Sequence, residues 1–457
     1  MRCFLRSSFI VSLASSPAWA ITDGEVEAMR AEIADLKSQV ATLQTVLERM
    51  DTLERQVERL PATRQPVVIT EQLDTLPEYP SSSERDKVAG ADRVEKERQE
   101  QQVDLDLGGA LWINYAYQEF RTPDEGKKRD LNFDNLRLSF DGSYAPVPGE
   151  GTYYFSAQHR FYSFADTVHH AFMGYQFAPD HKVELGVTQV PFGLLPFASH
   201  SFWFGIGYYL GQEDDYDVGL KYYRRIGEWE LHAAYFLNEE YADASNLERY
   251  SVDLARLDEQ QNEERDQFNL RAAYLIEGDA GSTELGLSGE IGAIDNLSTQ
   301  KSGRRWAAAA HYSGHYGPWN PQLQVTHYEY QPENPPGIDD RLVRMGNLGS
   351  FRDVAAEGTV ISANLAYRFA LDWGQFTGAN CYNDYSVLLK EESSFSDSHI
   401  NVTGCVFEGG PFWVWADIIN GRNAWYLDDS AQFSGLGAGS ESDDWKTRVN
   451  INLEWYF

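Results

Sequence analysis

The strict alternation of the last eleven residues, "TRVNINLEWYF" (447–457), constrains the fold of this chain more than any other feature. One face of this segment is apolar and consists of Val449, Ile451, Leu453, Trp455 and Phe457; the other is polar and consists of Arg448, Asn450, Asn452 and Glu454. A period of two places one face of a strand in an apolar medium and the other in water. Because the ends of soluble chains are usually frayed and polar, the question is which apolar medium receives the terminal aromatic ring.

The first twenty residues, "MRCFLRSSFIVSLASSPAWA", indicate export. Arg2 and Arg6 precede a short apolar stretch that ends at Ala18-Trp19-Ala20, which is the order of a secretory signal peptide. A short membrane anchor is the alternative, but the apolar stretch is shorter than the roughly 20 residues that span a bilayer. We therefore expect residues 1–20 to be removed and Ile21 to begin the mature chain.

The composition favours a membrane β-barrel. No later segment is apolar over about 18 consecutive residues, so helical membrane spans are not predicted. The formal charge is −32, yet 14% of the residues are aromatic, with 26 Tyr, 24 Phe and 12 Trp. An outer-membrane barrel combines a polar lumen with two aromatic girdles. An exported acidic β-sandwich is the alternative at this point.

Residues 21–60 differ from the rest and predict a periplasmic coiled coil. Apolar residues recur at spacings of three and four from Val26 to Met50, and the seam then continues at 53–60 with a shift of three residues. A lone amphipathic helix packed on the barrel is the alternative. The β-branched and leucine positions of this seam favour a dimer, whereas barrels of this kind are usually trimers; we expect a homotrimer. Residues 61–102, with prolines and dense mixed charge, predict a linker.

Residues 103–457 alternate between strand and loop. The predicted strands are 107–120, 131–144, 152–164, 167–177, 182–193, 218–226, 229–239, 267–278, 283–294, 304–316, 320–333, 358–370, 375–390, 398–410, 412–423 and 447–457. Their connections are alternately short and long, as in barrels with short periplasmic turns and long outer loops; a sandwich has no reason to sort its loops in this way. The predicted fold is all-β, a 16-stranded antiparallel transmembrane β-barrel preceded by an α-helical coiled coil. Its last strand closes the barrel and places its apolar face against outer-membrane lipid.

Three stretches carry a resemblance to a known family. "LGGALWINY", "NFDNLRLSFDGSY" and "VELGVTQVPFG" resemble the first, second and fifth strands of the phosphate-selective porin O and P family. The N-terminal coiled coil is similar to that of dicarboxylate-taking trimeric porins. The resemblance implies a trimeric barrel whose arginine-lined lumen draws small anions. The terminal aromatics Trp455 and Phe457 resemble the signal that the barrel assembly machinery reads. Phosphate itself is not inferred, since no residue of that family's ligand site is matched here.

Alternation also predicts which strand arginines face the lumen. They are Arg137, Arg160, Arg271, Arg368 and Arg448. An arginine facing lipid at mid-depth would cost about 2–4 kcal/mol. Guanidinium groups pair well with carboxylate and phosphate oxygens, so one interpretation is a path for a small anionic solute. The alternative is an internal lattice of ion pairs with Asp134, Asp141, Glu184 and Glu454.

The third loop, 194–217, is the predicted constriction. Pro196 stiffens its entry, and its middle includes His200 and Trp203; an inward fold would narrow the pore. An outward cap at a subunit contact is the alternative. The acidic residues Glu213, Asp214, Asp215 and Asp217 offer oxygen ligands for Ca²⁺, which is one alternative, but they lack the spacing and the glycine of an EF-hand. We interpret them as a solvated acidic rim, and we predict no metal and no cofactor.

The remaining polar residues give no sign of catalysis. His169 and His170 lie near Ser163, Ser199 and His200, but no nucleophile or zinc motif is present, and we interpret the two adjacent histidines as girdle or interface residues. We predict a channel rather than an enzyme, with no nucleic-acid partner. A barrel that mainly anchors a periplasmic rod is a further alternative, and an outer-membrane hydrolase is the least favoured one. After export, Cys381 and Cys405 form an even pair on consecutive predicted strands, which predicts a disulfide.

Overall fold

The computed structural model describes residues 103–121, 128–146, 151–241, 243–427, 435–439 and 444–457. The predicted signal peptide, coiled coil and linker lie outside the described residues. Sixteen strands form the barrel: β1 Val103–Gln118, β2 Arg129–Tyr144, β3 Thr152–Tyr162, β4 Asp166–Ala178, β5 His181–Gln189, β6 Tyr216–Ile226, β7 Trp229–Glu239, β9 Asn262–Gly278, β10 Gly281–Asn296, β11 Lys301–His315, β12 Trp319–Gln331, β15 Glu357–Trp373, β16 Phe376–Lys390, β17 Ser398–Gly409, β18 Phe412–Arg422 and β19 Lys446–Tyr456. The other three, β8 Asp253–Leu254, β13 Leu342–Asn347 and β14 Ser350–Ala355, form a separate small sheet.

The barrel is closed by its first and last strands. Each barrel strand pairs antiparallel with the next along the chain, and β19 pairs with β1. At the seam, the Phe457 amide donates to the Gly109 carbonyl at 3.0 Å and the Gly109 amide donates to the Phe457 carbonyl at 2.9 Å. The predicted 16-stranded antiparallel barrel is therefore confirmed, and its last strand is the closing strand.

The two faces of the wall differ as alternation requires. On β9, Leu270 points outward and is 67% exposed, whereas its neighbours Asn269 and Arg271 are buried inside at 1% and 2%. Leu287 on β10 is likewise 67% exposed. Since a continuous apolar exterior on a closed barrel suits lipid and not water, the strands are the membrane-spanning segments. Within the described part of the chain, no helix is long and apolar enough to cross a membrane.

The connections at the two ends of the barrel differ in length. At one end the strands are joined by tight turns, in which Gly227 and Gly317 adopt φ of 58° and 57°, a left-handed conformation that glycine tolerates without strain. At the other end the connections after β5, β7 and β12 are long. The sheet β8–β13–β14 is built from the last two of these long connections, and we call it the outer sheet.

The outer sheet is the main feature that the sequence prediction missed. Its strands are only two and six residues long, and they show no sustained alternation. Arg249 holds the sheet together, because its Nε donates to the Gly346 carbonyl at 3.1 Å and its Nη2 to the Leu254 carbonyl at 2.9 Å. Among the barrel strands, β5 ends at Gln189, four residues before the predicted end, because Pro191 lacks an N–H for the ladder and the chain leaves the wall there.

Candidate pore constriction

The connection between β5 and β6, residues 190–215, folds into the lumen; we call it L3. The amide of Gly193 donates to Ser288 Oγ at 3.0 Å, the amide of Leu194 to Gln324 Oε1 at 2.7 Å, and the amide of Ile206 to Ser386 Oγ at 2.9 Å. These acceptors project inward from β10, β12 and β16, which lie away from β5 and β6 in the barrel. L3 therefore crosses the interior, as the constriction hypothesis expects, and does not form an outward cap.

One buried carboxylate on the wall anchors the middle of L3. Asp384 Oδ2 accepts the amides of His200 and Ser201 at 2.6 and 2.7 Å, and Asp384 Oδ1 lies 2.9 Å from His200 Nδ1. Predicted residue Pro196 lies near the start of L3, where its carbonyl accepts Gln189 Nε2 at 2.7 Å. Sequence reasoning missed Asp384; the signal was the one acidic residue of β16, on the inward face of that strand.

Three of the five predicted lumen arginines lie around one cavity. Arg137, Arg160 and Arg448, which we call the arginine cluster, line a cavity of about 250 Å³ together with Trp203 of L3. Each guanidinium lies over an aromatic ring: the Cζ–centroid distances are 3.4 Å for Arg137 over Trp112, 4.5 Å for Arg160 over Tyr250, and 4.3 Å for Arg448 over Trp203. Such stacking orients a planar cation while keeping its charge.

The polar contacts of the cluster include several neutral amides. Arg137 and Arg160 are directly opposite each other on β2 and β3. Their Nε atoms donate to Asn135 Oδ1 at 3.2 Å and to Gln158 Oε1 at 2.6 Å, and Arg448 Nη2 donates to Asn450 Oδ1 at 3.3 Å. Like charges directly opposite on neighbouring strands are destabilising, so this register concentrates positive charge at some cost in stability.

The other two predicted arginines are in ion pairs. Arg271 contacts Glu230 Oε1 at 2.9 Å and Glu284 Oε1 at 2.5 Å, and its Nε donates to the Gly193 carbonyl at 2.7 Å. Arg368 contacts Glu408 Oε2 at 2.5 Å. For these two residues the ion-pair alternative describes the contacts better than an open anion path does.

The partners in these ion pairs are not the ones named from the sequence. Glu230 on β7 and Glu284 on β10 lie on the two strands beside β9, which carries Arg271, whereas Glu408 on β17 lies two strands away from Arg368 on β15. Glu184, one of the arginine partners in the ion-pair alternative, instead contacts Lys221 and Lys182 at 2.9 and 3.0 Å. Alternation alone gives the face of a residue, and the cross-strand register decides its partner.

L3 separates spaces toward the two ends of the barrel. The cavity of the arginine cluster also contacts Leu348 of the outer connections. Toward the short turns lie two further cavities, of about 500 Å³ beside Lys182 and Glu184 and about 330 Å³ beside Arg271 and Glu277. Residues of L3 line both the 250 Å³ and the 330 Å³ cavities, so L3 stands between the two ends of the lumen.

The predicted solvated acidic rim is wrong. Glu213, Asp214, Asp215 and Asp217 are each at most 4% exposed, because L3 folds inward and carries them below the outer connections. Glu213 Oε1 accepts the Ala198 amide at 2.8 Å. Burial, with the nearby Asp214 and Asp384 charges, raises the pKa of Glu213 to about 8, so this carboxyl is mostly protonated at neutral pH.

The adjacent histidines lie inside the barrel rather than in a girdle. His169 and His170 are 0% and 4% exposed. His170 Nε2 lies 2.9 Å from Ser156 Oγ, and the two histidine Nδ1 atoms are 2.8 Å apart. Ser199 lies on L3, and Ser163 follows β3, so the serines considered from the sequence are not the one that His170 contacts.

Cys381 and Cys405 are joined by a disulfide in the structure, with a Cα–Cα distance of 4.0 Å. They are directly opposite on β16 and β17. Both lie within the ladder, so the bond links two strands that are already paired.

Comparisons with known proteins bear on the fold. No known family's sequence profile matches the chain, and no curated protein matches it in sequence. Solved structures match its shape. Its fold is that of the outer-membrane porins. The outer membrane channel DcaP of Acinetobacter baumannii is 11% identical with a TM-score of 0.53, over 78% of this chain and 97% of that one.

Two further structures are similar. OmpF of Salmonella typhi, in complex with daunomycin, is 10% identical with a TM-score of 0.51, over 78% of this chain and 98% of that one. OmpT of Vibrio cholerae, in trimer form, is 14% identical with a TM-score of 0.50, over 78% of this chain and 100% of that one. At such identities the likeness shows the fold alone, and the resemblance to the phosphate-selective porins O and P stays a prediction.

Proposed function

We propose that the protein is an outer-membrane channel for the passive diffusion of small hydrophilic solutes, and that it favours small anions. A closed barrel with an apolar exterior and a polar interior separates two aqueous spaces while holding a path between them. L3 narrows this path, and a narrow region is where wall charge acts most strongly on a passing ion. The similarity to DcaP, whose structure is described as that of an outer membrane channel, supports the channel class.

The observation that carries the anion preference is the cross-strand pair Arg137–Arg160, with Arg448 on the same cavity. An electrostatic cost of placing two arginines opposite each other is offset when an anion passes between them. Guanidinium groups recognise carboxylate and phosphate oxygens through paired hydrogen bonds. The ligand class is therefore a small oxyanion, a carboxylate or phosphate.

The net charge of −32 does not oppose this proposal. Part of this charge lies in the segment 1–102, and charges in water are screened beyond about 8 Å at physiological salt. An ion inside the barrel meets the nearest wall groups in a confined space where screening is weaker. The three arginines of the cluster outnumber Asp134 and Asp214, the two acidic residues that line the same cavity.

The partners follow from the same architecture. The exposed apolar wall fits outer-membrane lipid, and Trp455 and Phe457 are proposed to be read by the barrel assembly machinery. A homotrimer is proposed by analogy with the trimeric form of OmpT from Vibrio cholerae. The N-terminal coiled coil, which lies outside the described residues, is proposed to extend into the periplasm.

A hydrolase is the alternative with a specific observation in its favour, the Ser156–His170 contact at 2.9 Å. Ser156 lies in the interior of β3 and is paired with Asp141 and Phe172 in the ladder. Its own amide is thereby held in the sheet plane, whereas an acyl-transfer site needs donors aimed at a developing oxyanion. We therefore favour the channel.

The proposal is tested by reconstituting the purified protein in planar bilayers and recording single-channel currents. Discrete conductance steps are expected. A folded, inserted barrel that gives no steps would favour the anchor function, and release of p-nitrophenol from acyl esters, lost in Ser156→Ala, would favour the hydrolase.

A further inference from the structure

A group of buried carboxylates lies where L3 returns to the wall beneath the outer sheet. Asp215 ends L3, Asp217 lies on β6, and Asp253 lies on β8. One oxygen from each of the three lies within 4.8 Å of the others, and the three side chains are 4%, 3% and 1% exposed. Carboxylates that approach so closely out of water repel strongly unless protons or a cation come between them.

Three buried oxygens in and beside this group lack hydrogen-bond donors. Asp217 Oδ1 and Asp253 Oδ2 are buried and accept no hydrogen bond in the structure, and neither does Glu240 Oε2 on the adjoining connection. Glu240 is 6% exposed, and its carboxyl lies within hydrogen-bonding reach of Asp253. Because two carboxylates offer only acceptors to each other, the unpartnered oxygen of Glu240 is a separate sign that a positive group belongs between them.

The surrounding cations are fewer than the carboxyls that they face. Arg249 Nη1 lies 3.8 Å from Glu239 Oε1 and 3.9 Å from Asp253 Oδ2. Arg305 lies 2.5 Å from Glu264 Oε2 and 3.7 Å from Glu290 Oε1. Among the described residues, two guanidinium groups thus meet seven buried carboxyls, namely Asp215, Asp217, Asp253, Glu239, Glu240, Glu264 and Glu290.

We propose that Asp215, Asp217 and Asp253, together with Glu240, bind one calcium ion that fastens the end of L3 to the outer sheet. Calcium is bound by oxygen ligands at 2.3–2.6 Å, so oxygens on opposite sides of one ion lie about 5 Å apart, which matches the observed spacing. Magnesium retains several waters and rarely occupies an all-protein carboxylate site. Four buried carboxylates, three of which carry an oxygen with no hydrogen-bond partner, therefore fit calcium better.

The site has a structural consequence for the channel. Its ligands come from L3, from β6 of the wall, from the β7–β9 connection and from the outer sheet, all of which one ion would hold together. The Val190 amide also donates to the Asp215 carbonyl at 2.9 Å, so the position of Asp215 is linked to the start of L3 as well. Removal of the ion would leave the like charges to repel and would loosen both ends of L3.

The test uses the full chain, purified in detergent and stripped with EDTA. Calcium chloride is titrated by calorimetry, and the bound metal is counted by elemental analysis after gel filtration. One ion per chain is expected, with at least tenfold weaker binding of magnesium at the same ionic strength. Asp217→Asn and Glu240→Gln are each expected to weaken calcium binding at least tenfold, whereas Glu213→Gln, a buried acid of L3 outside the group, is expected to bind as the wild type does.

A wild type that binds no calcium would overturn the proposal, since the carboxyls would then be held by protons. Equal binding by Asp217→Asn, or equal affinity for magnesium, would overturn it too. Folding of each variant is checked by heat-dependent migration in gels. If Asp217→Asn does not fold, calcium-dependent protection of the wild-type amides of 212–217 from hydrogen exchange decides the question: protection supports the site, and its absence contradicts it. Binding and channel conductance are measured separately, so failure of one leaves the other standing.

Discussion

The ring of Phe457 occupies the space beside Gly109 on the first strand. A Cβ added at Gly109 would lie 2.4 Å from the Arg137 carbonyl oxygen and 2.7 Å from Phe457 Cζ. The two residues also exchange both main-chain hydrogen bonds. The close approach of Phe457 to the seam therefore requires a glycine at position 109, where the first and last strands of the barrel meet.

Substitution at this seam is expected to impair barrel closure. Gly109→Ala should lower the yield of folded barrel several-fold, because either the ring or the β1–β2 ladder must move. The matched control is Gly289→Ala, where an added Cβ would lie 3.9 Å from its nearest neighbour and the yield should be unchanged. The measurement is the fraction of heat-modifiable protein in outer-membrane extracts, and similar loss in both variants would contradict the seam argument.

Deletion of Phe457 is expected to reduce assembly in cells for the same reason, with an added effect on recognition by the assembly machinery. Phe457→Tyr, which keeps an aromatic ring at the seam, should assemble normally. Folding of the deleted protein in detergent separates the two effects. Wild-type amounts of the truncated barrel in the outer membrane would show that neither effect matters.

The Cys381–Cys405 bond is expected to be present in the protein made in cells. Denatured, unreduced protein should take up no thiol label at either position. Loss of the bond in Cys381→Ser is expected to lower the free energy of unfolding by about 2–4 kcal/mol, measured by urea titration in detergent, and Cys381→Ser/Cys405→Ser should lose the same amount. Labelling of both thiols before reduction would refute the bond.

The contact of L3 with Asp384 predicts a change in conductance. Asp384→Asn removes the charge that two L3 amides and His200 share, and hydrogen bonds to a charged group contribute about 1.5–3 kcal/mol each. L3 should then leave the wall part of the time, giving larger and more variable single-channel steps. Asp279→Asn, an exposed residue of a short turn, is the control, and identical step distributions in all three proteins would contradict an anchoring role.

The strands of the barrel could be predicted from the sequence because contact with lipid on one face requires apolar and polar residues to alternate. Every spanning strand must alternate, and the periplasmic turns are short, so all sixteen strands were found and most of their ends agree to within a few residues. The closing role of β19 followed from the same alternation. The alternation rule does not apply to the outer connections, because their structure depends on packing between segments that are distant in sequence. For that reason the outer sheet and the role of Arg249 could not be predicted.

For the arginines, the sequence predicted which face of the wall they occupy but not which residues they contact. All five arginines project from the face that alternation assigns to the lumen, yet Arg271 meets glutamates on the two adjacent strands and Arg368 meets a glutamate two strands away. Cross-strand partners depend on strand register, which shifts at bulges such as the one between Trp112 and Ile113, and a sequence pattern does not fix these shifts. The prediction that the acidic residues of L3 are solvated was wrong, because the fold of the loop determines whether these side chains are exposed to water.

The arginine cluster is proposed to make the lumen favour anions. The most direct measurement is the reversal potential of single channels across a tenfold KCl gradient. The wild type is expected to favour chloride, and Arg160→Gln/Arg448→Gln to shift the reversal potential toward potassium. Arg271→Gln/Glu284→Gln, which removes an ion pair without changing net charge, should leave it near the wild-type value. A wild-type channel that already prefers potassium, or an equal shift in both double variants, would contradict the account.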